Sequence, residues 1–582
     1  MELSRGDFIK IPFRQQKILG VVKKINERFA PRDNLKNVLA IEDLPKLTEN
    51  EMTIFEWLAK DLGQSVPAIL NAAIPISNKN SIVLPVIENR GLKIKTKEAE
   101  TIKRYLEIIE NRRRAFLTTA NLTRTAATIL AYLHIHPNDR VAILVPGINE
   151  AHELAPYFSH LKLSIIASQQ TIGQRFRAWQ NFRQNQTRVM IGTHLASLLL
   201  PENLDVVFII KSGSESHKQW DRNPRYDARN IVHQWQKINH GRLYFFDTVP
   251  RPEDFLNFTE EEIFISHPEP RPFFIDLNNE RGFSPHPIIS QTVYETIKQT
   301  LNQKRRVLCF YNRRGKATAL RCSDCGKGFS CPVCGGIFSV HETSIQCHHC
   351  RQIEPLPLTC PNCRGSNLRE RGFGNQTIKQ ELEKFFPNIG IAIVDKTSPL
   401  SDEKQEIILT TSYFLENRMY LSSKNFGLII NLDADLSLLS SGFNAMGETI
   451  HQLEDLRGLA IFEQALFLVQ TRSRELLENY YNDPKNCLLK ELELRQAYHQ
   501  PPFVRYFGLK IRDKEERRAE LELEAIAADF KKFTGLSILP IKCTKGRGCS
   551  LTMAVAPEKV SEVLEKIYQL SDRVVIDTNV IS

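Results

Sequence analysis

Short apolar runs separated by longer amphipathic stretches dominate the middle of the chain. Between residues 93 and 264 four such runs, VAILVP (141–146), RVMIGT (188–193), DVVFII (205–210) and LYFFDT (243–248), alternate with segments of helical apolar spacing. Continuous apolar runs of this length suit strands buried on both faces, and strands that alternate with helices predict a parallel sheet. A proline-rich stretch, HPEPRP (267–272), marks a boundary. A second series follows: RVLCFY (306–311), IGIAIV (389–394), EIILTT (406–411), FGLIINLDAD (426–435) and ALFLVQT (465–471). The first 76 residues differ, with β-rich alternation over 7–12 and 18–25 and a helical pattern near 49–61. From about residue 500 a βαβ-like tail runs to the end.

These patterns predict an α/β chain in five parts. They are a small β-rich N-terminal domain (1–78), a first α/β unit (93–264), a second (265–319 and 367–497), an insertion (320–366) and a C-terminal α/β domain (498–582). The length of 582 residues agrees with several domains. With 42% hydrophobic and 25% charged residues, the composition excludes a mostly disordered or collagen-like chain. No apolar run approaches the length of a membrane span, so no membrane partner is expected. The opening MELSRGDFIK lacks the apolar core of a secretory signal, which makes the cytoplasm the expected setting. A net charge of +10 is compatible with nucleic-acid binding without requiring it.

The cysteines are more specific. Eight of the 12 lie between Cys322 and Cys363 and form four Cys-x-x-Cys pairs: Cys322/Cys325, Cys331/Cys334, Cys347/Cys350 and Cys360/Cys363. Two intervening residues let both thiolates of a pair face one metal, and a closed tetrahedral zinc site takes two pairs. Four pairs therefore predict two Zn²⁺ ions. Sequential pairing would join the first two knuckles across five residues, whereas nested pairing has a comfortable inner loop of 12. The nested scheme is preferred: Cys322, Cys325, Cys360 and Cys363 at one zinc, and Cys331, Cys334, Cys347 and Cys350 at the other. Closed four-thiolate sites hold no position for substrate water, so their role is structural or adhesive. The other four cysteines, Cys309, Cys487, Cys543 and Cys549, are dispersed.

The order of these parts is itself informative. After the first α/β unit come FYNRRGKATALRC, the eight cysteines, GFGNQTIKQELEKFFP, LDAD and QPPF, with a tail ending VVIDTNVIS. VAILVP, IGTHLAS and PRYDARN (224–230) precede them. In this the chain resembles the primosomal protein N′ (PriA) family of bacterial replication-restart helicases, best over 308–387. The resemblance implies two tandem RecA-like helicase lobes of superfamily 2, a double zinc insertion, and binding of branched DNA at stalled forks. It also implies primosome, replisome or single-strand-binding proteins as partners. The family's N-domain opens with a further strand that helps form a pocket for a 3′-terminal base. Here the matching segment is IPFRQQKILGVV (11–22), so that pocket is expected to be incomplete, with Lys36 at a family pocket lysine. About 40 residues separate the N-domain from Phe116, too few for the family's winged-helix domain.

The departures fall on the motor chemistry. A phosphate loop needs glycines for close backbone approach, a Lys for phosphate and a Ser/Thr for Mg²⁺. The matching stretch, AFLTTANLTRTAATIL (115–130), has no glycine and places Thr125 and Ala126 at the last two positions. The acidic pair expected after DVVFII reads KSGSESHKQ (211–219), with Lys211 where a metal ligand is needed. A third element, SAT-like in the family, reads DTVP (247–250), and a fourth, GTQM-like, reads TTSYFLENRMYLSS (410–423). The arginine-finger positions align with Ala460 and Glu463, with Arg457 off register. Without fingers about 10³–10⁵ in rate is forfeited. No catalytic residue is assigned, ATP binding is in doubt, and enzymatic activity is left open.

Phosphate contacts need reachable Lys and Arg. Lys36, Arg313 and Arg314 of NRRG, and Arg547 in the tail are the preferred DNA-binding candidates. Arg14, Lys17, Arg112–Arg114, Lys542 and Lys545 are secondary ones. The expectation is a PriA-like zinc protein that binds branched or single-stranded DNA in replication restart or repair without hydrolysing ATP. The alternatives are an active ATP-dependent 3′–5′ DNA helicase with divergent motifs, and a protein–protein scaffold without DNA affinity.

Overall fold

A computed structural model describes all residues except 1–2, 14–15, 26–36, 76–90, 92–95, 120–121, 266–270, 281–287, 313–317, 326–327, 330–337, 342–343, 348–352, 372–374, 396–404, 417–424, 439–442, 514, 545–547, 572, 579 and 581–582. Two parallel sheets follow one another along the chain. The first has seven strands in the order Ile263–Phe264, Arg114–Thr118, Arg242–Asp247, Val206–Ile210, Val141–Leu144, Val189–Gly192 and Leu163–Ile166. Every pairing in it is parallel. The second has six, ordered Phe273–Asp276, Leu466–Thr471, Phe426–Asn431, Arg306–Phe310, Ile407–Thr410 and Ile391–Val394, again all parallel. Helices cover both faces of each, which is why the inner strands are apolar along their middles, with polar residues at their ends.

The strands expected from apolar runs are present within two residues of their ends, except that the 426–435 run is a strand only to Asn431 and the 18–25 segment only to Val21. Arg114–Thr118, Leu163–Ile166, Ile263–Phe264 and Phe273–Asp276 are further strands, each with no more than three consecutive apolar residues. The tail is a variation on the βαβ expectation. Arg505–Ile511 and Leu536–Ile538 flank Gly548–Val555 and both pair with it antiparallel, a split βαβ unit rather than a parallel sheet.

The N-terminal strands Phe8–Phe13, Gln16–Val21 and Ala40–Ile41 form an antiparallel sheet beside the helices Glu49–Asp61 and Val66–Ala73. Thr48 and Glu51 close a capping box at the first helix, the sequence signal that starts it. This region does not keep a core to itself. Phe8, Phe55 and Leu58 belong to one buried cluster with Trp179 and Leu198 of the first α/β unit, and Phe8 meets Trp179 edge-on at 6.5 Å. Arg183 anchors the seam by donating to both oxygens of Glu51 at 2.6 Å.

Candidate metal centre and inter-domain cleft

The insertion builds its metal centre from a strand pair. Thr318–Cys322 runs antiparallel to Leu368–Arg371 with Cys322 opposite Leu368, which brings the first knuckle beside the last. The chain after Cys360 turns tightly: Arg364 N–H donates to the Cys360 carbonyl at 2.8 Å, and Arg364 takes a left-handed conformation at φ 58°. Gly365 follows, where a Cβ would lie 2.1 Å from Asp324 Oδ2, so only glycine permits the approach. The four sulfurs of Cys322, Cys325, Cys360 and Cys363 then lie within 4.8 Å of one another. Cys322 and Cys363 are 3.5 Å apart and Cys325 and Cys360 3.7 Å. A tetrahedral Zn–S length near 2.3 Å requires S···S separations of about 3.8 Å. The quartet therefore fits a thiolate-bound metal ion. Cys322 and Cys360 are buried in a small core with Leu320, Phe338 and Ile345, and Cys363 is exposed.

Cys331, Cys334 and Cys350, and the side chain of Cys347, lie outside the described residues. So do Lys36, Arg313, Arg314 and Arg547.

A cleft of about 520 Å³ opens between the two parallel sheets. The first unit contributes residues 146–150, Lys211, Gly213–Ser216, Asp247 and Arg251–Glu253, which follow the carboxyl ends of its strands. The second contributes the Ala445–Glu463 helix through Gly447, Glu448, His451, Gln452 and Asp455, with Arg495 behind. Open α/β sheets place their sites at such strand ends.

Among the described residues, four lysine and arginine side chains reach this cleft, and each faces a carboxylate. Lys211 donates to Glu150 at 3.0 Å, Arg229 to Asp227 at 2.6 Å, Arg251 to Asp254 at 2.6 Å and Arg495 to Glu253 at 2.6 Å. Glu215, Glu448 and Asp455 also line it. Asp247 lies with its Oδ1 3.8 Å from His451 Nδ1. Burial raises the Asp247 carboxyl above its ordinary value, opposed by the imidazole of His451. A polyphosphate needs the opposite arrangement, with uncompensated positive charge and free backbone N–H groups.

The segment at the phosphate-loop position has other employment. Thr119 N–H donates to the Asp247 carbonyl, Tyr105 Oη donates to the Thr118 carbonyl, and Thr118 Oγ1 donates to the Phe264 carbonyl at 3.2 Å. Arg124 faces Glu98 at 3.8 Å. Among the described residues, nothing from Arg114–Thr118 or the Leu122–Ile135 helix lines the cleft. Ala460 is in the core, and Arg457 is buried against Glu454 on the same helix, its charge-assisted bonds including Nε to Oε1 at 3.0 Å. None of Arg457, Ala460 and Glu463 lines the cleft.

Sequence reasoning did not foresee His451, Arg495 or Glu253 at this junction. They sit in ordinary helical patterns, and only the apposition of the two units brings them together. It also left Cys543 and Cys549 as dispersed residues, whereas they form a disulfide across adjacent strands. Their spacing of six, with Gly546 and Gly548 between them in the sequence, was the available signal.

Residues 1–75 match the PriA 3′ DNA-binding domain (3′BD) family. Among curated proteins, the chain is 24% identical to replication restart protein PriA of Rickettsia prowazekii over 544 residues, covering 88% of this chain and 83% of the relative. It is 27% identical to that of Haemophilus influenzae over 434 residues, covering 69% and 58%, and 22% identical to that of Bacillus subtilis over 449 residues, covering 70% and 54%. Of solved structures, RecG bound to a three-way DNA junction aligns over 78% of this chain and 54% of RecG, with 14% identity and a TM-score of 0.37. By sequence, then, the chain is similar over most of its length to replication restart proteins PriA, and its first 75 residues match the 3′ DNA-binding domain family.

Proposed function

We propose that this protein binds branched or single-stranded DNA in replication restart, through a zinc-stiffened pair of helicase-like lobes that do not hydrolyse ATP. The observation that carries the reading is the cleft, where, among the described residues, every lysine and arginine that lines it is already paired with a carboxylate and none of the phosphate-loop segment lines it. Support for the DNA side comes from the 3′ DNA-binding domain match and from relatives named for replication restart. One zinc is held by Cys322, Cys325, Cys360 and Cys363, and a second by Cys331, Cys334, Cys347 and Cys350 in the nested scheme. Bound zinc supplies no catalysis here; it fixes the insertion as a rigid platform for partner proteins. Lys36, Arg313, Arg314 and Arg547 contact phosphates.

The deciding experiment is a paired assay on zinc-loaded protein. Binding to a model fork is expected, weakening steeply as salt rises from about 50 mM. Nucleotide turnover is expected to stay at background with or without the fork. DNA-stimulated hydrolysis abolished by Thr125→Ala would establish an active helicase instead, and lack of fork binding at low salt would favour a scaffold.

A further inference from the structure

In the C-terminal domain the strand Lys542–Thr544 lies off the main sheet and, among the described residues, pairs only with Gly548–Val555. The register sets Lys542 opposite Ser550, Cys543 opposite Cys549 and Thr544 opposite Gly548. Directly opposed side chains of an antiparallel pair project from the same face and are the closest cross-strand neighbours. The Cα atoms of Cys543 and Cys549 are 4.0 Å apart, and the sulfurs are joined. A three-residue strand with a single neighbour has few ladder bonds to hold it. The covalent link fixes what the ladder alone holds weakly.

We propose that Cys543 and Cys549 form a reversible dithiol–disulfide site that clamps this edge strand and so tunes the domain's grip on DNA; the second half rests on the DNA-binding reading above. The oxidant is a low-molecular-weight disulfide of the glutathione type. The Cys543 thiolate attacks one of its sulfurs and releases one thiol. The Cys549 thiolate then attacks the Cys543 sulfur of the mixed disulfide and releases the second. The two protons lost by the cysteines end on the two departing thiols, so two S–H bonds and one S–S bond are exchanged for their equivalents.

The two sulfurs are not equally placed. Cys543 is half-buried, whereas Cys549 is fully buried, its sulfur 3.5 Å from the Glu516 carbonyl. A reductant reaches Cys543 first and must expel Cys549 as a thiolate in an apolar setting among Phe507, Leu551 and Phe530. Desolvation makes that thiolate a poor leaving group. The clamp should therefore outlast thiol levels that keep exposed cysteines reduced. Lys542 lies on the clamped strand, and fixing the strand fixes where that charge is presented.

The test uses the full-length, zinc-loaded protein equilibrated with reduced or with oxidised glutathione, read by intact mass, alkylation mapping and fork binding. Oxidation is expected to give a species lighter by two hydrogens, with Cys543 and Cys549 alone newly protected from alkylation and zinc content unchanged. Fork affinity should rise several-fold on oxidation in the natural chain and stay constant in Cys543→Ser and Cys549→Ala. A stable glutathione adduct on Cys543, or free alkylation of both residues after oxidation, would overturn the site. Equal fork affinity in both redox forms would overturn its coupling to DNA. Loss of two hydrogens with no fork binding by either form would count against the DNA-binding reading alone and leave the redox site standing.

Discussion

Cys360 is fully buried, and its knuckle shares a small core with Leu320 and Phe338. Metal binding and local folding are therefore one event there. Cys360→Ser is expected to lower bound zinc by one equivalent per chain and to cost the insertion its cooperative melting, as read by metal analysis and circular dichroism. Two buried histidines define a second residue-scale prediction. Burial, opposed by Asp254 and assisted by Arg251, Arg114 and Lys237, holds His233 down to about 4. Burial, with Arg229 beside it, holds His217 down to about 3. An unfolded histidine titrates near 6.5. Between that value and the folded one, the unfolded chain binds more protons, so stability is intact above about pH 6.5 and falls as pH drops toward 4. His233 alone should contribute roughly 2–3 kcal/mol of that loss by pH 4. His233→Gln should flatten the slope of Tm against pH over this window; an unchanged slope would refute the assignment.

At the scale of elements, the Ala445–Glu463 helix sets which charges the second unit presents to the cleft. Its cleft-facing side presents Glu448, His451 and Asp455, while Arg457 turns inward to Glu454 beside Tyr480 and Tyr481. An arginine finger would show the reverse disposition. Arg457→Ala is expected to destabilise the protein by about 3–5 kcal/mol, because Glu454 is left buried without its partner. Calorimetry would show this as a large fall in Tm. A variant of unchanged Tm with lost nucleotide turnover would instead mark Arg457 as a finger. The helix was legible as apolar periodicity, but its orientation was not. Arg457 and Asp455 are two residues apart, so one rotation of the helix decides which of them meets the cleft.

Across the whole molecule, charged side chains join parts that are distant in sequence. Arg495, 2% exposed, bridges the second unit to Glu253 of the first, and Lys485 reaches Glu260 at 2.7 Å. Lys218, fully buried, binds Asp577 of the tail at 2.9 Å, and Arg505 of the tail binds Asp61 at 2.7 Å. Arg495→Ala is expected to split thermal unfolding into separate transitions for the two units, since Glu253 and Glu491 both lose their cation. The units also approach closely at Gly213, where a Cβ would lie 2.3 Å from the His451 ring. Gly213→Ala should lower Tm by pushing the units apart, and adding His451→Ala should recover most of the loss. Failure of that rescue would show that the glycine serves its own loop instead.

The sequence alone determined the local and periodic features. Strands buried in a parallel sheet carry apolar runs, so the longer ones follow from composition over a few residues. Cys-x-x-Cys spacing constrains two sulfurs to one face, so metal-binding knuckles follow from four residues at a time. That the stretch 115–130 carries no glycine is likewise visible in the chain itself. Tertiary structure decided which knuckle meets which among the described cysteines, through the strand pair that seats Cys322 opposite Leu368. It also decided which face Arg457 turns away from the cleft and which carboxylate neutralises each cation there. Those pairings join residues far apart in sequence, such as Arg495 with Glu253. Their geometry is set by how whole sheets and helices pack, and no local pattern along the chain encodes it.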